Sequence, residues 1–234
     1  MTRSDQHGRD LSSLPVPAAA DGVLLFGGTF DPPHLGHQRL AQLARDSLFG
    51  DAGWLVFVPA AQSPHKQSGP IASDEHRLAM LSSVSADVPR SAVWPFELLR
   101  GLGPSYWIDT IREAAKQAGT RGLGREQLRF LIGADQAAAF HRWKDFAGIL
   151  ELATPAVILR DPISTADTLL ASLEASRTWT PEQMQAWQRW VVLTETMPVS
   201  STSIRSALAN NGADLAAKLS PAVLDYIRAN DLYS

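Results

Sequence analysis

One stretch restricts the fold more than any other. Gly27-Gly28-Thr29-Phe30-Asp31-Pro32-Pro33-His34-Leu35-Gly36-His37 lies between an apolar run, Val23 to Phe26, and a segment carrying Leu40, Leu43, Ala44 and Leu48 at three-and-four spacing. That order predicts a strand turning through glycines into an amphipathic helix. Gly27 and Gly28 let backbone N–H groups approach an anion, and the following helix directs its positive end to the same place. Pro32 and Pro33 stiffen the turn just before the helix. His34 and His37, three apart, share one face of the first helical turn, with Gly36 keeping that face open. An imidazolium at a helix N-terminus is disfavoured by about 0.3–1 kcal/mol, so a bound anion is the expected partner of both histidines.

Three readings compete for this stretch. It can be a surface turn with solvated histidines. It can be a His-x-x-His metal site, which needs a third ligand that the chain does not offer: there is no Cys, and His65 and His76 sit in unrelated contexts. Or it is a phosphate cradle, the reading that the density of the cluster favours.

The 234 residues, 45% of them apolar, suffice for one sizeable α/β core. A net charge of −3 argues against a general nucleic-acid or membrane-surface binder, so positive charge must be local. The lack of cysteine excludes disulfides, Cys-ligated zinc and thiol catalysis, and suits a reducing compartment. No apolar run reaches membrane-spanning length, and the first twenty residues lack a signal-peptide core, so a cytoplasmic location is expected. Residues 1–21 mix Ser, Pro, Ala and charges without period and read as a mobile tail before a single domain over 22–234.

Further strands are expected at Trp54–Val58, Val93–Leu98, Leu128–Ile132, Pro155–Leu159 and Val191–Leu193. With helical patterns between them they imply a mostly parallel sheet flanked by helices. A helix starts after Ser73, its His76 read as structural; two more lie between Ser164 and Trp190, their apolar faces meant for the sheet or a partner subunit. Ser220 and Pro221 open a last one. Asp135 follows the strand ending at Ile132, where open α/β sheets bind ligands; it also suits a helix N-cap. Ser200 or Ser201 caps a helix with Arg205 in its first turn. There Ser201 or Thr202 hydroxyls and a guanidinium would fork around phosphates.

Gly28 to His37 resembles the GTFDPxHxGH signature of the nucleotidyltransferase superfamily, and Val199-Ser200-Ser201-Thr202-Ser203-Ile204-Arg205 resembles its ISSTxIR motif. From about Val23 onward the chain is similar to nicotinate mononucleotide adenylyltransferases. The resemblance implies a Rossmann-like nucleotidyltransferase fold and an enzyme that joins ATP to nicotinate mononucleotide and releases pyrophosphate, with Mg²⁺ bound mainly through ATP phosphates. It implies His34, His37 and Arg205 as catalytic groups. ATP would also meet Gly27, Gly28, Thr29, Phe30, Ser200, Ser201 and Thr202, with Gly133 and Asp135 on its ribose.

For the mononucleotide, Pro64-His65-Lys66 resembles the family's PPHK segment and offers Lys66 to a phosphate; Gly103 to Ile111 resembles PSYTxxTL and brings Ser105, Tyr106 and Trp107 beside the pyridine ring. Trp107 replaces a Thr there. Trp143 matches a ring-stacking Trp, Lys144 replaces the Tyr that follows it and could pair with the nicotinate carboxylate, and Arg160 matches the Arg of an Arg-Pro-Gly turn. The alternatives are an adenylyltransferase for the amide mononucleotide, one for phosphopantetheine or another phosphate acceptor, and a non-catalytic nucleotide sensor on the same fold. Nucleic acid and membrane are not implied as partners; a homo-oligomer is compatible.

Overall fold

The computed structural model describes residues 10–61, 69–101, 105–194, 197–210 and 214–233. Six parallel strands form one sheet in the order β3-β2-β1-β4-β5-β6: β1 Gly22–Gly28, β2 Gly53–Pro59, β3 Ser91–Val93, β4 Leu128–Gly133, β5 Thr154–Ile158 and β6 Val191–Val192. The chain moves outward from β1 to β3, then returns to the other side of β1 to start β4. In such sheets the crevice where the order reverses is where ligands bind, here between β1 and β4.

Alternate residues of each strand feed opposite layers. Val23, Leu25, Val56, Val58, Phe130, Ile132 and Val157 face α4 (Trp107–Gly119), α5 (Ala134–Ala138), α6 (Phe146–Leu152), α7 (Ala166–Ala175) and α8 (Pro181–Arg189). Leu24, Leu55, Phe57, Leu131 and Ala156 face α1 (Leu35–Phe49), α2 (Asp74–Ala86), α9 (Ser201–Ala209) and α10 (Pro221–Ala229). Both faces are covered, which is why the strands read as unbroken apolar runs. Threonine-based capping boxes start α7 and α8, and Leu169, Leu173 and Trp187 bury one side of the two helices in the sheet layer.

Two expectations need correction. The strand expected over Val93–Leu98 stops at Val93; Pro95 lacks the N–H that would continue the ladder, and Phe96–Arg100 forms α3, with the buried Trp94 ring stacked on Phe96 at 4.7 Å. The expected mobile tail is, over 10–21, a strap packed on the core. Leu14 is 1% exposed, its N–H donates to Gln117 Oε1 at 2.6 Å, and Trp94 Nε1–H donates to the Ser12 carbonyl at 3.2 Å. Three apolar side chains, Leu14, Val16 and Ala20, account for this docking, and with Pro15 and Pro17 between them they form too short a pattern to read as a strand or a helix. Leu14→Ala should therefore lower the unfolding free energy by about 2–5 kcal/mol in a urea titration; a strap that contributed nothing would leave the midpoint unchanged.

Candidate active site

At the carboxyl ends of β1, β4 and β5 opens a cavity of about 750 Å³, within the size range of small-molecule sites. Gly27, Gly28, Thr29, Phe30, His34 and His37 line it together with Ser105, Tyr106, Trp107, Trp143 and Lys144, and Gly133, Asp135, Arg160 and Ser201 complete the wall. Ser200, Thr202 and Arg205 stand behind it, and Lys66 lies outside the described residues.

His34 and His37 differ from expectation in their charge. His34 is the N-cap of α1: its Nδ1 accepts the backbone N–H of His37 at 3.2 Å, and His37 Nδ1 accepts that of His34 at 3.3 Å. This is a capping box built from two imidazoles, their rings stacked at 3.6 Å. An Nδ1 that accepts is unprotonated, so each ring carries its proton on Nε2. Burial, and then the nearby Arg160 cation, hold His34 down to about 4. The pair thus presents N–H donors to the cavity and not the imidazolium charges the sequence suggested. Unpaired helix amides explain the two histidines before any anion is invoked.

The glycines also have another reason. A Cβ at Gly27 would come 2.5 Å from the Trp107 ring, and one at Gly36 would meet Val199 Cγ1 at 2.6 Å. The first glycine admits an indole to the cavity wall. The second, expected to keep a face open, admits the segment leading into α9.

That segment closes on the loop. Ser201 Oγ–H donates to the Pro32 carbonyl at 2.9 Å, and Arg205 Nη1–H donates to the Asp31 carbonyl at 2.6 Å. Arg205 is the fifth residue of α9, not part of its first turn, so no helix-dipole penalty applies to it; the cap is Ser200, bonded reciprocally with Ser203. Thr202 accepts from Arg205 Nη2 at 3.3 Å. On the opposite side the buried Arg77 donates to the Thr29 carbonyl at 2.7 Å.

Elsewhere on the cavity wall Lys144 Nζ lies 4.0 Å over the Tyr106 ring, a cation–π contact. The first amides of α4 have no side-chain cap, since Tyr106 occupies that position. Arg160 donates through Nε and Nη2 to Asp135 Oδ1 at 3.0 and 2.8 Å, over a Gly133 where any Cβ would strike both side chains. Arg160, expected on the mononucleotide, is thus the partner of the residue expected on the ATP ribose.

A family model described as cytidylyltransferase-like matches residues 25–207. A Chromobacterium violaceum protein named as a nicotinate-nucleotide adenylyltransferase is 34% identical over 218 residues, covering 90% of this chain and 98% of its own. One from Gemmatimonas aurantiaca, named likewise, is 34% identical over 209 residues, with 89% and 90% covered. A solved Plasmodium falciparum nicotinic acid mononucleotide adenylyltransferase complexed with APC shares the fold, with a TM-score of 0.64 over 91% of this chain and 97% of that one, at 14% identity. This chain belongs to the nicotinate-nucleotide adenylyltransferases. The Rossmann-like sheet expected of such nucleotidyltransferases is the one described above.

Within this adenylyltransferase two site residues escaped the sequence reading. Arg77 lies in the helix expected after Ser73, where a charged residue on the buried face is the available signal. Glu97 lies in the stretch expected as a strand; it is 6% exposed, lines the cavity, and accepts Thr110 Oγ1–H at 2.6 Å. Burial pushes its carboxyl above the usual range, opposed by the hydroxyls of Thr110 and Ser105.

The depressed His34 has a consequence for stability. The unfolded ring takes up a proton near pH 6.5 and the folded one only near 4, so the contribution is complete above pH 6.5 and fades as pH falls towards 4. Wild-type protein should lose up to roughly 3 kcal/mol from this source over that window. His34→Asn, which still caps the helix, should show a shallower pH slope in urea titrations; parallel slopes would contradict the assignment.

Proposed function

We propose that this protein transfers AMP from ATP to nicotinate mononucleotide, giving nicotinate adenine dinucleotide and pyrophosphate. The observation that carries this reading is the closure of the Ser201–Arg205 turn on the Asp31-Pro32 loop, 2.9 and 2.6 Å at its two contacts, beside a cavity also lined by aromatic side chains. A triphosphate chain suits the polar loop and a pyridine ring the aromatic side chains. The names of the curated relatives support the same reaction.

The mononucleotide phosphate is ionised at neutral pH, so attack on the α-phosphorus needs no general base. Catalysis then rests on alignment, which contributes about 7–11 kcal/mol, and on donors aimed at the charge that develops on the α-phosphate and the departing pyrophosphate. In this reading His37 Nε2–H serves the α-phosphate, and His34, the loop amides and Arg205 serve the leaving group. The carboxylates lining the cavity among the described residues are Glu97 and Asp135, and both are engaged by protein donors. That donor set suits Mg²⁺ held by triphosphate oxygens and water, where it would neutralise the departing charge. No helix among the described residues is long and apolar enough to cross a membrane, and we assign the protein to the cytoplasm with its substrates.

His37→Ala should reduce kcat by about 10²–10³, or ~2.7–4 kcal/mol of barrier, in a pyrophosphate-release assay; near-normal turnover would remove His37 from the reaction. Lys144 projects beside the aromatic side chains, where the proposed carboxylate would lie. A charged hydrogen bond of about 1.5–3 kcal/mol predicts that Lys144→Met cuts the preference for acid over amide mononucleotide roughly tenfold to a hundredfold in kcat/KM. An unchanged ratio excludes Lys144 from specificity.

A further inference from the structure

The carboxyl end of the chain reaches the reaction loop. Tyr233, 9% exposed, donates its hydroxyl proton to Asp31 Oδ1 at 2.7 Å, across 202 positions of sequence. Asp31, 5% exposed, is otherwise held by two backbone amides: Ala72 N–H on Oδ1 at 3.1 Å and Ile71 N–H on Oδ2 at 2.8 Å. Its own carbonyl is the seat of Arg205, whose Nη1 also lies 3.9 Å from Oδ2. Neither Asp31 nor Tyr233 lines the cavity. Burial and the adjoining carboxylate both raise the phenol's proton affinity, so the hydroxyl remains a donor throughout the physiological range.

A buried carboxylate needs its donors in place, and a carboxylate that shifts takes its backbone with it. Here that backbone carries the carbonyl on which the guanidinium rests, three residues before His34. We propose that Tyr233 is a positioning residue for adenylyl transfer: by fixing the Asp31 side chain it fixes where Arg205 and the start of the histidine pair stand relative to the triphosphate. The inference rests on the function proposed above. It assigns the last turn of the chain to ATP and not to the mononucleotide.

The test uses the full chain with Tyr233→Phe, which fills the same space without the hydroxyl. Direct titration should show ATP binding weakened about tenfold, and kcat should fall by a similar factor, with KM for nicotinate mononucleotide unchanged within twofold. Leu232→Ala, a change in the same terminal turn that does not touch Asp31, should lower Tm and leave ATP binding as in the wild type. In an Arg205→Lys background Tyr233→Phe should add little, since the two act through one carbonyl. Asp31→Asn gives the same comparison from the acceptor side should Tyr233→Phe fail to fold. Wild-type ATP affinity in Tyr233→Phe, equal losses for both substrates, or full additivity with Arg205→Lys would overturn the inference. If the wild type binds ATP but releases no pyrophosphate with nicotinate mononucleotide, the proposed reaction fails, while the ATP titrations still decide the role of Tyr233.

Discussion

The structure depends on how the loop from Thr29 to Pro32 is fastened. Three of its carbonyls accept side-chain donors from elsewhere in the chain: Thr29 from Arg77, Asp31 from Arg205 and Pro32 from Ser201. Within it Phe30 holds a positive φ of 48°, a conformation that a bulky residue keeps only when its surroundings over-determine it. They do: its ring is 1% exposed and meets Phe26, Phe57 and His37 edge-on. Each tie crosses a long stretch of chain, and its loop-closure entropy cost grows only slowly with that length. The result is a fixed backbone at the place where a flexible one could not align reactants.

Strand order explains why these ties are within reach. Because β4 begins on the side of β1 opposite β2, the loop after β1 and the Gly133-Ala134-Asp135 turn after β4 open into the same crevice. Arg160, just beyond β5, then falls beside Asp135. The reversal of strand order thus brings residues from positions 27, 133 and 160 to one cavity. The aromatic lining arises differently: Trp107 begins α4, and its ring is seated where Gly27 has no side chain.

Much of this was legible in the sequence because the signals are local. Parallel strands buried on both faces leave continuous apolar runs, so β1, β2, β4 and β5 were found within two residues at each end. The two motifs read as anion sites from glycine, serine and histidine at those spacings, and the structure gives the same residues further uses as helix caps and close-packing points. Long-range facts were not legible. Nothing local says that Leu14 docks on α4, that Arg205 rests on Asp31, or that His34 replaces Ser or Asp as an N-cap. The dipole argument, which puts both histidines on an anion, assumes charge, whereas the cap geometry requires a neutral acceptor nitrogen.

That correction changes how the site must work. Two stacked rings whose Nδ1 atoms accept backbone protons cannot both be cations, so the early motif contributes oriented N–H dipoles, not net charge. The whole chain is itself net negative, and among the described residues full positive charge near the cavity comes from Arg205 on a carbonyl, Arg160 on Asp135, Lys144 over Tyr106 and Arg142 on the cavity wall. In the reaction proposed above, the site meets a polyanion with three of these cations already engaged by the protein. Its discrimination lies in where donors point, which is also what stabilises charge that moves during a displacement. Rigid fastening and neutral donors are therefore one design: dipoles act only where they are held, and the ties on Thr29, Asp31 and Pro32 hold them.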